Sequence, residues 1–225
     1  MKKQVASVLV LSGLISILAA CERVEDSNIA YQPEREAGVT PIEDIAFKPI
    51  EQNDVLLAFK RTKAHDILYV LNLLKASPIN YEALESVACA VEHCDVADEN
   101  WNWEALNSEL VRVNLIDVLL QADKNSFPIL DSNELIAEVL SGLDSKNPQV
   151  VQRSLFVLSF QDRTEFASEI ERVARATNND TTFRVAIIAL KFMSPEYGSP
   201  VVARVREDSS THRQAIVDDV VPQLQ

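Results

Sequence analysis

From Asn53 onward, apolar residues recur at spacings of three and four. Val55, Leu56 and Phe59 lead into Ile67, Leu68, Leu71 and Leu74, and Leu106, Leu110, Val113, Ile116, Val118 and Leu119 continue the pattern further on. That period is the signature of a helix with one buried face, and the strict alternation of a half-buried strand is nearly absent. Helix starts are marked by a capping residue before proline, as in Ser77-Pro78, Asn147-Pro148, Ser194-Pro195 and Ser199-Pro200. Proline suits the first helical position because its missing N–H would lack a helical partner there anyway. Asp131 or Ser132 followed by Glu134 marks another start. The pattern predicts an all-α chain of about nine or ten helices, mostly of roughly 10–20 residues.

Several of these helices can be superposed by eye. Val111-Arg-Val-Asn-Leu-Ile-Asp-Val, Val151-Gln-Arg-Ser-Leu-Phe-Val-Leu, Phe183-Arg-Val-Ala-Ile-Ile-Ala-Leu and His212-Arg-Gln-Ala-Ile-Val-Asp-Asp share a small or short residue at the fourth place. These are Asn114, Ser154, Ala186 and Ala215, each followed by Leu115, Leu155, Ile187 or Ile216. An amphipathic segment precedes each of the last three: Glu134 to Leu143, Glu165 to Ala176, and Pro200 to Arg206. The alternation resembles HEAT or armadillo-type repeats, and Asp144 to Leu158 carries the resemblance best. It covers roughly residues 105–225, about half the chain. It departs from the pattern at Asp219, which stands where Leu158 and Leu190 stand, and at Gln152, which stands where a basic residue is usual. The resemblance implies a right-handed superhelical stack of helix pairs, an α-solenoid, whose terminal repeat meets water on its outer face.

The N-terminus has a different character. Lys2 and Lys3 precede an apolar run from Val5 to Ala20, which is short for a membrane span of roughly 20 apolar residues. It ends in Leu18-Ala19-Ala20-Cys21, which resembles the lipobox of bacterial lipoproteins. That resemblance implies that residues 1–20 are a cleaved export signal, that Cys21 carries lipid, and that several acyl chains anchor the protein stably. Glu22 leans the sorting toward the outer membrane, facing the periplasm, if the cell is Gram-negative. Residues 21–50 read as the lipidated cysteine and a flexible tether, polar and broken by Pro33, Gly38, Pro41 and Pro49. Residues 51–225 read as the helical domain. The competing expectation is that Ile42, Ile45, Phe47 and Ile50 dock the tether onto that domain.

Charge narrows the partners. Loss of the signal removes two of the 21 basic residues and no acidic one, leaving 19 against 34 acidic and a formal charge of −15. Such a surface repels phosphate backbones and anionic head groups, so no nucleic acid is expected, and membrane contact falls to the lipid on Cys21. Cys89 and Cys94 form an even pair in an oxidising compartment and are expected to bond. In a continuous helix their Cα atoms would be about 8.7 Å apart, beyond the roughly 4.4–6.8 Å of a disulfide. The bond therefore requires the helix to end or bend near His93.

No pattern encodes a reaction, a cofactor or a metal. The three histidines, His65, His93 and His212, lie far apart with no nucleophile motif beside them, and Cys89, His93 and Cys94 fit no standard zinc spacing. Asn179-Asp180-Thr181 is a chance glycosylation sequon. No catalytic residue and no enzyme activity are expected. Two features are candidates for holding a partner. One is Trp101, which follows an acidic insertion at Asp95, Asp98 and Glu99; its alternative is to staple the start of the following helix. The other is the row Arg112, Gln152, Arg184 and Arg213, whose alternative role is to bond one repeat to the next. The expected function is a membrane-anchored envelope scaffold or adaptor that binds an envelope protein or peptide. The alternatives are a lipoprotein that binds a small ligand or polymer, and an enzyme whose site no motif encodes.

Overall fold

A computed structural model describes residues 50–61, 63–78, 80–94, 100–123 and 131–223. The signal, Cys21, the tether up to residue 49 and the acidic insertion at 95–99 lie outside the described residues. Two compact units divide the chain: residues 1–49 with 76–78, and residues 50–75 with 79–225. Of the first unit only residues 76–78 are described, and the account below is of the second.

Among the described residues the chain is all-helical, with eleven helices and no strand. They are α1 (Gln52–Phe59), α2 (Ala64–Ala76), α3 (Tyr81–Glu92), α4 (Trp103–Leu106), α5 (Glu109–Asp123), α6 (Ser132–Gly142), α7 (Pro148–Gln161), α8 (Thr164–Ala176), α9 (Asp180–Phe192), α10 (Pro195–Glu207) and α11 (Thr211–Gln223). The count exceeds the expected nine or ten. One source of the excess is the single turn α4, which exists because the Asn102 side chain accepts the Ala105 N–H at 3.2 Å.

Caps explain most of the starts. Asn147 accepts from Gln149 N at 3.0 Å, with Pro148 at the first position, and Asp131 accepts from Asn133 N at 2.8 Å. Two expected starts are corrected. α3 begins at Tyr81 rather than after Ser77, because Asn80 is the cap, accepting from Ala83 N at 3.1 Å while its amide donates to the Ile50 carbonyl at 3.1 Å. Ser199-Pro200 lies inside α10, which Ser194 and Pro195 have already begun. Glycine lets α10 sit close to α9, since a Cβ on Gly198 would overlap the Leu190 carbonyl.

The helices pack mainly on near neighbours in sequence. α1 packs on α3, α3 on α5, α5 on α7, α7 on α9 and α9 on α11, so alternate helices form a continuous row. α6 packs on α5 and α7, α8 on α7 and α9, and α10 on α8, α9 and α11. The repeated positions are mostly buried. Asn114, Ser154 and Ala186 are buried, as are Leu115, Leu155 and Ile187 behind them. On α11, Ile216 is buried but Ala215 is exposed. Ala215 stands on the last described helix of the row.

Among the described residues two non-glycines occupy the left-handed region, His93 at φ 56° and Asp162 at φ 51°, and each ends a helix. Such a conformation costs about 1–3 kcal/mol and needs support from its surroundings. Asp162 has side-chain support: its carboxylate accepts the Ser194 N–H at 2.8 Å and the Ser194 hydroxyl. His93 is enclosed by the Cys89–Cys94 bond.

Candidate functional site

The end of α3, the start of α5, α6 and the turn into α7 enclose an open cleft of about 440 Å³. Its lining includes the apolar Val91, Val113 and Val150. Arg112 spans it. The Nε and Nη2 of Arg112 donate to the two oxygens of Glu138, each at 2.7 Å, and its Nη1 donates to the Val91 carbonyl at 3.0 Å. The fork satisfies a carbonyl near the end of α3 and ties that helix to α6. Its hydrogen bonds to Glu138 raise the Arg112 pKa above its usual value against the opposing effect of partial burial. Glu109 and Asp144 stand at the rim, with the Ser145 hydroxyl on Glu109 and Arg172 on Asp144 at 2.9 Å.

One wall of this cleft is the turn that carries the disulfide. Cys89 and Cys94 are bonded, with their Cα atoms 5.0 Å apart. α3 stops at Glu92 and the chain reverses at His93, which is the break that the spacing demanded. The His93 ring stacks on Trp103 with centroids 4.8 Å apart, and its Nε2 lies 3.2 Å from Asn107 Oδ1. Trp103 touches Trp101 at 5.5 Å, and Trp101 meets Phe59 edge-on at 5.0 Å. Trp101 is therefore buried, at 6% exposed, and its surroundings correct the expectation of an exposed anchor. The reason is a contact distant in sequence: Asn102 N donates to the Phe59 carbonyl at 2.8 Å and its side-chain amide donates to the Arg61 carbonyl at 3.0 Å, which pins this segment on the end of α1.

The row Arg112, Gln152, Arg184 and Arg213 is brought to one series of helices, and each side chain has a partner on a neighbouring segment, with the Arg184 side chain still 41% exposed. Gln152 on α7 donates to Thr182 Oγ1 on α9 at 3.2 Å, and Arg184 on α9 pairs with Asp219 on α11 at 2.6 Å. Arg213 lies over the Phe183 ring at 4.7 Å and donates to the Thr177 carbonyl. Arg112 alone of the four lines the cleft. The departure at Asp219 has its account here, since the carboxylate receives Arg184.

A charged cluster that the spacing did not single out joins side chains from α2, α5 and α7. Lys75 Nζ donates to Asp117 Oδ2 at 3.0 Å and to Asn114 Oδ1 at 3.3 Å, Gln121 donates to Asp117 Oδ1 at 2.9 Å, and Arg153 Nη2 also bonds Asp117. The Lys75 and Asp117 side chains are 4% and 2% exposed. Burial and then repulsion from Arg153 push Lys75 down to about 8, although Asp117 pulls the other way. Burial alone would raise Asp117, but Arg153 and Lys75 together outweigh it and hold the carboxyl at about 2. The available signal was Asp117 inside the apolar run Leu115 to Leu120, since a charge there must be paired.

No protein-family model, curated protein or solved structure matches the chain. Among the described residues no helix is long and apolar enough to cross a membrane.

Proposed function

We propose that this chain is a cell-envelope lipoprotein, anchored through lipid on Cys21 and a tether to residue 50, whose helical domain is a scaffold for another envelope protein or a peptide. The carrying observation is the row α1, α3, α5, α7, α9 and α11, in which each helix packs on the next. We read it as the inner layer of a right-handed HEAT-like stack, with α6, α8 and α10 belonging to the outer one. A surface built by such repetition is extended, and its usual work is to hold a polypeptide along its length. The forward bonds from Gln152 to Thr182 and from Arg184 to Asp219 support the same repeat register.

The cleft beside Arg112 favours a second reading, a lipoprotein that binds a small ligand or polymer segment, because its valines and charged rim suit a compact group. Affinity capture of the tagged, membrane-anchored chain from its own cells separates the two. A protein retained in fixed proportion, and lost when the helical domain is unfolded, is the expected result. Retention of no polypeptide would overturn the scaffold reading.

A further inference from the structure

We propose that the Cys89–Cys94 bond is a thiol-sensitive latch that sets the shape of the cleft wall. The left-handed residue it encloses, His93, lines the cleft and touches both Trp103 and Asn107. The contrast with Asp162 is informative. Asp162 holds the same backbone conformation through its own carboxylate, with two bonds to Ser194. At His93 the backbone N–H groups of His93 and Cys94 both donate to the Cys89 carbonyl, and the cross-link ties the side chains at the two ends of that same turn. Opening the bond returns the turn to a chain that disfavours a left-handed β-carbon residue.

The consequences spread along direct side-chain contacts. His93 is stacked on Trp103, Trp103 lies tilted against Trp101 and Trp101 meets Phe59 edge-on, so release of the turn loosens an aromatic chain reaching α1. Val91, two residues before His93, gives its carbonyl to Arg112, the guanidinium that grips Glu138 on the opposite wall. A helix that frays back from Glu92 withdraws that acceptor.

Access to the bond is one-sided. Cys89 is 8% exposed and Cys94 is half-buried. A small or protein dithiol approaches the Cys94 sulfur with one thiolate, forms a mixed disulfide there, and expels Cys89 as a thiolate that takes up a proton. The second thiol of the reductant then displaces Cys94. The protein gains two thiols and two electrons, and the dithiol leaves as a disulfide.

The test uses the purified full chain with dithiothreitol as the dithiol. The chain contains two tryptophans, Trp101 and Trp103, so its tryptophan emission reports on this region alone. Reduction is expected to change the emission, to speed amide exchange across 89–107 by about tenfold or more, and to leave the helical circular dichroism intact, as local opening does. Reoxidation restores the starting signals, and the double variant Cys89→Ser, Cys94→Ser shows the reduced emission and ignores the dithiol. Two results overturn the proposal. Unchanged emission and exchange, with both thiols shown to be free by alkylation, would mean the turn stands without its bond. Loss of the helical signal on reduction would make the bond a staple of the whole domain and not a latch.

Discussion

Lys75 on α2 places its ammonium 3.0 Å from the Asp117 carboxylate on α5, and neither side chain is more than 4% exposed. Arg153 on α7 reaches the same carboxylate, so two cations meet one anion inside the helix packing.

The pH response of this cluster has a definite sign. Asp117 titrates at about 2 in the fold against 3.8 ordinarily, so its stabilising contribution is complete above pH 3.8 and fades as the pH falls toward 2. Lys75 titrates at about 8 against 10.5, so between those values the unfolded chain holds the extra proton and stability gained from this group rises with pH. Thermal melting of the wild type and Lys75→Met across pH 7–11 checks it: the difference between the two should move in favour of the wild type above about pH 8. A flat difference would contradict the burial of a protonated Lys75.

Asp117→Asn should be far more harmful than removing the cluster whole. It leaves the buried Lys75 and the part-buried Arg153 without their anion, at about 3–5 kcal/mol. Replacing Lys75, Asp117 and Arg153 together by methionine or leucine should recover most of that loss, measured by urea denaturation. Equal destabilisation in both variants would mean that the ion cluster is not the reason.

Ala186→Glu and Ala215→Glu make a pair. Both alanines occupy the small position of their helices, yet Ala186 is fully buried and Ala215 is exposed. A glutamate at 186 buries an unpaired charge at several kcal/mol, whereas at 215 it should change stability by less than about 0.5 kcal/mol. Similar melting temperatures for the two variants would show that the small position does not mark the row.

Cys21→Ala tests the anchor, which rests on Leu18-Ala19-Ala20-Cys21. The variant should lose lipid labelling and stay uncleaved or leave the membrane fraction. Normal processing with continued membrane fractionation would end the lipoprotein reading.

Most helices were legible because their period and caps are local properties, as at Asn147-Pro148 and Asp131. The break at His93 was legible too, since two cysteines five residues apart cannot bond across a continuous helix. What escaped depends on distant partners. Trp101 looks like an anchor until the end of α1 is laid against it, and Asp117 looks like an interruption until Lys75 arrives from 42 residues earlier. Arg112, Gln152 and Arg184 showed their shared position in the spacing, but not that Glu138, Thr182 and Asp219 would already occupy them.

The near-neighbour packing of the helices also bears on how the chain folds. The longest hydrogen-bonded link between side chains described above spans 42 residues, and many others span 26 to 36. Closing short loops costs little entropy, and chains dominated by local contacts cross their folding barrier quickly. A chain emerging end first from a narrow pore can therefore bury each new helix on the one or two just before it, without waiting for its far end.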